Sequence, residues 1–360
     1  MPTLIFYVSG HGYGHARRMT QVIGEILARR PDFKIIARTA APPAVFQPLA
    51  ASMFEPSEID CGMVEADPLT IDAERTLTKL LDFMKRREAI VSAEVEFART
   101  ARPELIVSDI PFLAGDVSKR AGVRCIGISN FSWDWIYDEL FVDNPVYRPI
   151  SAQIRDAYLK FDHLLELPFG KIGPKLPIQQ VPLIAPQRRR EKNEILSRLG
   201  ISSDDNRPRV LFGTRGGVSP QVLRAASEEL PDMLLIFPHA LPADMPRNTI
   251  GVELSPSLDF SDLLAISDVV VSKLGYGIVS ECVASKVRLV YPRRTGFAED
   301  RITESQMQAY VPIQEIPREN YLAGRWAHSI REVLAKPMPT ATIDANGAQV
   351  CAKHIIRISQ

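Results

Sequence analysis

The feature that most constrains this chain is a short apolar run that empties into a glycine-rich loop, repeated three times. "TLIFYV" (Thr3 to Val8) leads into "SGHGYGH", "RVLF" (Arg209 to Phe212) into "GTRGG", and "DVVV" into "SKLGYG". After the first loop, Met19, Val22, Ile23, Ile26 and Leu27 recur at the spacing of one buried helix face. "FKIIART", "PELIVSD" and "VRCIGIS" extend the series, and a long helix is expected over 73–99. "MLLIFPHA" and "VRLVYPRR" continue it after a polar stretch. Short strands alternating with helices imply right-handed crossovers and parallel sheets buried on both faces. The expected organisation is therefore a Rossmann-like domain over 1–185 and a linker with a first helix over 186–208. A second Rossmann-like domain follows over 209–346, and a carboxyl-terminal helix near 347–358 packs back across. Function is expected in a cleft along the carboxyl ends of both sheets.

Composition narrows the class. Of 360 residues, 46% are hydrophobic and 24% charged, and 43 basic residues balance 43 acidic ones. That neutrality gives no support for nucleic-acid or membrane-surface binding through bulk charge. Peripheral membrane contact stays open. No apolar run exceeds about five residues, against the roughly 20 of a membrane span. No secretory signal is visible at the start. Cys61, Cys125, Cys282 and Cys351 form no CxxC pair and no disulfide framework, so no metal site is expected and the reducing cytoplasm is the default. The run Arg188–Arg189–Arg190 reads as solvated linker surface.

The first loop, Gly10 to His15, sits where backbone N–H groups and a helix dipole favour negative charge. Its glycines are spaced GxGxG rather than GxGxxG, and the next strand ends in Arg38 and Thr39 instead of an acidic residue. Dinucleotide binding is disfavoured, and no Walker loop exists. His11 and His15 are four apart, but three glycines argue against the helix a zinc pair would need. His15 at the helix start has a use as a general base, given a carboxylate to hold its ring. Asp109 ends the strand "ELIVSD", whose carboxyl end faces the same crevice. The competing reading is a helix cap.

In the second half, Gly275 and Gly277 let the backbone approach a phosphate, and the helix that follows offers N–H groups and partial positive charge. Tyr276 and Ser280 belong to the same segment. Glu281, about one turn in, suits the vicinal hydroxyls of a ribose. Thr214, Arg215, Gly216 and Gly217 supply a second N–H-rich loop. Each loop alone reads as an ordinary turn; three at strand ends do not.

At this point a resemblance becomes specific. "GYGIVSE" followed by "RLVYP" resembles the donor-nucleotide segment of glycosyltransferases of the two-Rossmann, GT-B type, including the lipid-II-forming N-acetylglucosaminyltransferase and the plant UDP-sugar transferases. The first loop resembles their acceptor-side glycine loop with its histidine, and the stretch from Leu105 is similar to the one holding the Asp partner. A resemblance over nearly the whole chain is to the amino-terminal, glycosyltransferase-like half of plant L-arabinokinases, carried by "GHGYGHARR", "DCGMVEADPLTID", "NFSWDWIY" and "KLGYGIVSE". The kinase half has no counterpart here.

The resemblance implies a GT-B fold, two Rossmann-like domains facing a central cleft. It implies His15 and Asp109 as catalytic pair, with Gly12, Gly14, Thr214, Arg215, Gly216, Gly217, Gly275, Tyr276, Gly277 and Ser280 on the donor nucleotide and its diphosphate and Glu281 on the ribose. It further implies a nucleotide-sugar co-substrate, UDP-linked, with no other cofactor, and a hydroxyl acceptor. Where the transferases often carry Asp–Gln for the donor sugar, this chain has Glu299 and Asp300 followed by Arg301. Asp60, Glu65 and Asp67, expected in a loop, and Trp133 and Asp134, in an aromatic cluster, are candidates for the acceptor side. The cluster reads equally as core. Two rivals accompany the transferase reading: a nucleotide-sugar 2-epimerase of the same fold, and a non-catalytic nucleotide-sugar-binding module.

Overall fold

The computed structural model describes residues 1–46, 54–186, 190–213 and 219–359. It divides into two compact units. The first comprises Met1–Ile184, Thr295–Ile302 and Asp344–Gln360; the second comprises Ala185–Arg294 and Thr303–Ile343.

In the first unit the strands are β1 (Thr3–Val8), β2 (Lys34–Thr39), β3 (Phe54–Pro56), β4 (Glu65–Asp67), β5 (Thr70–Ile71), β6 (Leu105–Asp109), β7 (Cys125–Phe131), β8 (His163–Lys171) and β9 (Ile178–Gln180). Its helices are α1 (Tyr13–Arg29), α2 (Ala73–Ala101), α3 (Leu113–Ala121), α4 (Trp133–Leu140) and α5 (Arg148–Tyr158). In the second lie α6 (Lys192–Arg198), β10 (Arg209–Phe212), α7 (Pro220–Glu229), β11 (Leu234–Phe237), β12 (Thr249–Gly251) and α8 (Phe260–Ala265). In chain order there follow β13 (Val269–Val271), α9 (Tyr276–Ser285), β14 (Arg288–Pro292), α10 (Ala298–Met307), β15 (Ile313–Ile316), α11 (Arg318–Leu322), α12 (Ala327–Ala335) and α13 (Gly347–Ile358), of which the start of α10 and all of α13 belong to the first unit.

The first unit holds a seven-stranded sheet in the order β3-β2-β1-β6-β7-β8-β9, the second a six-stranded sheet in the order β12-β11-β10-β13-β14-β15. Every pairing in both is parallel. All six residues of β1 are buried, as a strand covered by helices on both faces requires. Met19, Val22, Ile23 and Ile26 of α1 are wholly buried, the face the spacing predicts. Asp72 caps α2 by accepting from the Arg75 amide at 2.9 Å.

Strand order reverses direction at two places. From β1 the chain builds outward to β2 and β3 on one side, and to β6 on the other. The second unit repeats this at β10, flanked by β11 and β13. At such switch points the connecting loops diverge and leave a crevice beyond the carboxyl ends of the strands. His15 follows β1 and Asp109 ends β6. Gly213 and the Ser272–Gly275 loop occupy the corresponding position in the second unit.

Two details differ from the sequence expectation. Glu65 and Asp67 lie on β4, which pairs antiparallel with β5, rather than in a loop. Asp67 Oδ1 accepts from the Leu69 amide at 2.8 Å and fixes the turn between them. The segment Thr295–Ile302, expected inside the second domain, belongs to the first unit. Thr295 bonds backbone to backbone with Leu69 (2.8 Å) and Ile71 (2.9 Å), which ties it beside β5. The carboxyl-terminal α13 packs on α1 within the first unit.

Candidate active site

At the first switch point, the backbone makes the turn at Gly12, whose φ of 77° is the left-handed region glycine tolerates. This turn starts α1 at Tyr13, earlier than the glycines suggest, and sets His15 in the first helical turn. Asp109 is completely buried and ends β6. The next residue, Ile110, has φ 65°, a costly conformation for a β-branched side chain. Tyr158 Oη donates to its carbonyl at 2.7 Å and Ser108 Oγ to that of Pro111 at 2.9 Å, which holds this strained turn in place.

His15 Nδ1 lies 3.1 Å from Asp109 Oδ1. Arg18, one helical turn beyond His15, donates from Nε to Asp109 Oδ2 at 2.7 Å and from Nη2 to Oδ1. Its Nη1 donates to Asn130 Oδ1 at 2.7 Å, and its Nη2 is 3.0 Å from His15 Nδ1. Asn130 Nδ2 in turn donates to Glu299 Oε1 at 2.8 Å. Burial works against the charge of Asp109, but Arg18 and His15 outweigh it and hold the carboxyl below its usual range. The His15 ring meets Phe131 edge-on at 5.7 Å.

A second polar group surrounds this pair. Trp133, fully buried, donates from Nε1 to Asp60 Oδ2 at 3.1 Å and stacks on Tyr137 at 5.1 Å. Burial raises the Asp60 carboxyl above its usual value, only partly offset by hydrogen bonds from Ser9 and Trp133 and by the charges of His15 and Lys79. His11 lies edge-on to Trp133 at 5.6 Å and accepts at Nδ1 from the Met63 amide at 3.4 Å. The aromatic cluster is thus largely core, with one indole N–H holding a site carboxylate. Asp134, a candidate for the acceptor side, is instead wholly enclosed and paired with Arg155 at 3.3 Å. It belongs to the α4–α5 scaffold. Glu65 is exposed on β4.

In the second unit, Gly275 caps α9 without a side chain to accept from the helix's first N–H groups. Beyond the chain neighbours and the local helix backbone, no described atom lies within 4 Å of where a Cβ would stand at Gly12, Gly14, Gly275 or Gly277. Packing therefore does not demand glycine there. Arg294 Nη2 donates to the Leu274 carbonyl at 2.8 Å and braces the loop before α9. Ser280 gives its hydroxyl to the Gly277 carbonyl at 2.9 Å, inside the helix's own backbone. Glu281, about one turn into α9, is largely enclosed at 7% exposed. Thr214, Arg215, Gly216 and Gly217 lie outside the described residues. Asp300 is buried in the first turn of α10 beside Glu299.

Sequence reasoning missed Arg18 and Asn130. The signal for Arg18 was present: in "HARR" it stands three residues after His15, on the same helix face.

No protein-family model matches the chain. Among curated proteins it is similar to L-arabinokinase of Arabidopsis thaliana, 31% identical over 98% of this chain. The chain spans about a third of that protein, 34%, rather than the half expected. Among solved structures it superposes on the kitacinnamycin glycotransferase with a TM-score of 0.64 at 16% identity, covering 100% of both chains. A UGT transferase from Siraitia grosvenorii, solved with UDP, matches with a TM-score of 0.56 at 12% identity, over 98% of this chain and 94% of that one. The chain has the GT-B glycosyltransferase fold. In that fold's terms, the His15–Asp109 pair stands at the switch point of the amino-terminal Rossmann-like unit, and the α9 start at that of the carboxyl-terminal one. Among the described residues, no helix is long and apolar enough to cross a membrane.

Proposed function

We propose that this chain is an inverting glycosyltransferase that moves a sugar from a nucleotide-diphosphate sugar, UDP-linked, to an acceptor hydroxyl. The observation that carries the reading is the His15–Asp109 contact at the switch point of the first unit. An ionised, buried carboxylate holds Nδ1, so Nε2 is the nitrogen left to take the acceptor's proton. The acceptor oxygen forms its bond to the anomeric carbon as the bond from that carbon to the diphosphate oxygen breaks. A single displacement inverts the centre. The leaving diphosphate gains charge, and the uncapped start of α9 supplies N–H groups and partial positive charge to receive it without calling on a metal ion. The open space at Gly275 and Gly277 supports a phosphate lying against that backbone. Glu281 is assigned to the ribose, Glu299 and Asp300 to the donor sugar, and Asp60 to the acceptor. The shared fold with the glycosyltransferases named above supports the same reading. All four cysteines are free, which supports residence in a reducing cytoplasm.

The test has two stages. Thermal shift against UDP and a panel of UDP-sugars identifies the donor, since a ligand at 100 times its Kd adds roughly 2.7 kcal/mol. Product analysis with the donor and a panel of hydroxyl acceptors then distinguishes the outcomes. A transferred sugar of inverted configuration supports the proposal. A changed sugar released without acceptor points to an epimerase, and binding without turnover to a sensing module.

A further inference from the structure

Arg18 is 3% exposed, yet it is not simply the counter-ion of Asp109. Its Nη2 and His15 Nδ1 converge on the same oxygen, Asp109 Oδ1, and stand 3.0 Å from each other. Asn130 takes the other end of the guanidinium at 2.7 Å and is itself anchored on the Phe169 carbonyl and Glu299, so the fork cannot swing away. A planar, permanently charged group fixed in this way does two things to the imidazole. It draws off part of the carboxylate's negative charge, and it places a positive charge beside a ring that becomes positive whenever it takes a proton.

From this geometry we infer that Arg18 is a positioning residue that shares Asp109 with His15 and keeps the imidazole oriented while preventing it from holding a proton too tightly. The inference rests on the proposed role of His15 as base and deepens it. A carboxylate beside an imidazole favours its protonated form, and a cation sharing that carboxylate opposes this. With Arg18 in place, Asp109 and Arg18 together are neutral, so an imidazolium formed at His15 meets less net negative charge. Other titratable groups also face this cluster. Asp60 acts on His15 from the segment before Gly62, and Glu299 is joined to Arg18 through Asn130. The thiol of Cys351 on α13 is pushed up to about 12 by burial and stays neutral.

The experiment follows the His15 ring resonances by NMR across pH in the full chain, assigned by their loss in His15→Gln. It needs no substrate. In Arg18→Met, which keeps the length of the stem and removes the cation, the titration midpoint of His15 is expected to rise by about one pH unit or more, the scale of a nearby charge. Arg18→Lys keeps a cation but not the fork, so its midpoint should rise by less. It serves as the folded substitute if Arg18→Met fails to fold. Arg18 as a purely structural brace predicts a lower melting temperature with an unmoved midpoint in every folded variant, and that result would overturn the inference. A midpoint that rises in a chain inactive on every nucleotide sugar leaves the inference standing and removes the transferase reading instead.

Discussion

The indole Nε1 of Trp133 donates to Asp60 Oδ2 at 3.1 Å, so a fully buried aromatic side chain holds a carboxylate at the edge of the His15 site. Burial raises the Asp60 carboxyl, which means the folded chain binds that proton more tightly than the unfolded chain does. Stability therefore falls as pH rises from the ordinary carboxylate range through the raised value, and above it the ionised group costs the fold. Asp60→Asn keeps an acceptor for the indole and removes the charge. At pH 7 it should melt higher than the parent by about 1–3 °C, and the gap should close below the ordinary carboxylate range. Calorimetric melting across pH checks this, and a lower melting temperature at pH 7 would contradict it. Acceptor turnover should fall in the same variant.

Gly62 sits two residues further on, with φ 59° and its carbonyl accepting from Tyr137 Oη at 2.9 Å. A Cβ there would stand 2.7 Å from the His11 side chain, so both the backbone and the neighbour forbid it. Gly62→Ala should cost about 1–3 kcal/mol in chemical denaturation and displace His11. A neutral substitution would mean that the loop relaxes freely and does not hold His11 in place.

Glu281 is the donor-side test. If it accepts from ribose hydroxyls, Glu281→Gln should weaken UDP binding by roughly 1.5–3 kcal/mol in calorimetry, the range for a hydrogen bond to a charged group. Because Glu281 is buried, the glutamine keeps its shape where alanine would leave a cavity. Unchanged UDP affinity would remove the ribose role.

Much of this arrangement was legible in the sequence because parallel α/β architecture writes itself locally. Apolar runs such as Leu4–Val8 mark strands buried on both faces, and the glycine loops mark the carboxyl ends where crevices form. His15 and Asp109 could be paired because both follow adjacent strands, although 94 residues separate them. What was not legible depended on side-chain partners chosen in three dimensions. Asp134 and Trp133 are adjacent, yet the indole turns to Asp60 while the carboxylate is enclosed with Arg155. Thr295 pairs with the β5 hairpin across more than two hundred positions, and no periodicity announces such a contact. The Ser280 hydroxyl bonds to the Gly277 carbonyl, a local partner that the sequence does not announce.

The central claim is that His15 and Asp109 act as one base, and a double-mutant cycle on turnover tests it most directly. With a UDP-sugar donor and a working acceptor, His15→Ala should lose about 10²–10⁴ in kcat, the span a positioned proton acceptor supplies. Asp109→Asn should lose much of the same activity per folded molecule, and the double variant little more than the worse single one. Donor affinity should hardly change in His15→Ala. Losses that multiply, or full turnover in His15→Ala, would contradict the account.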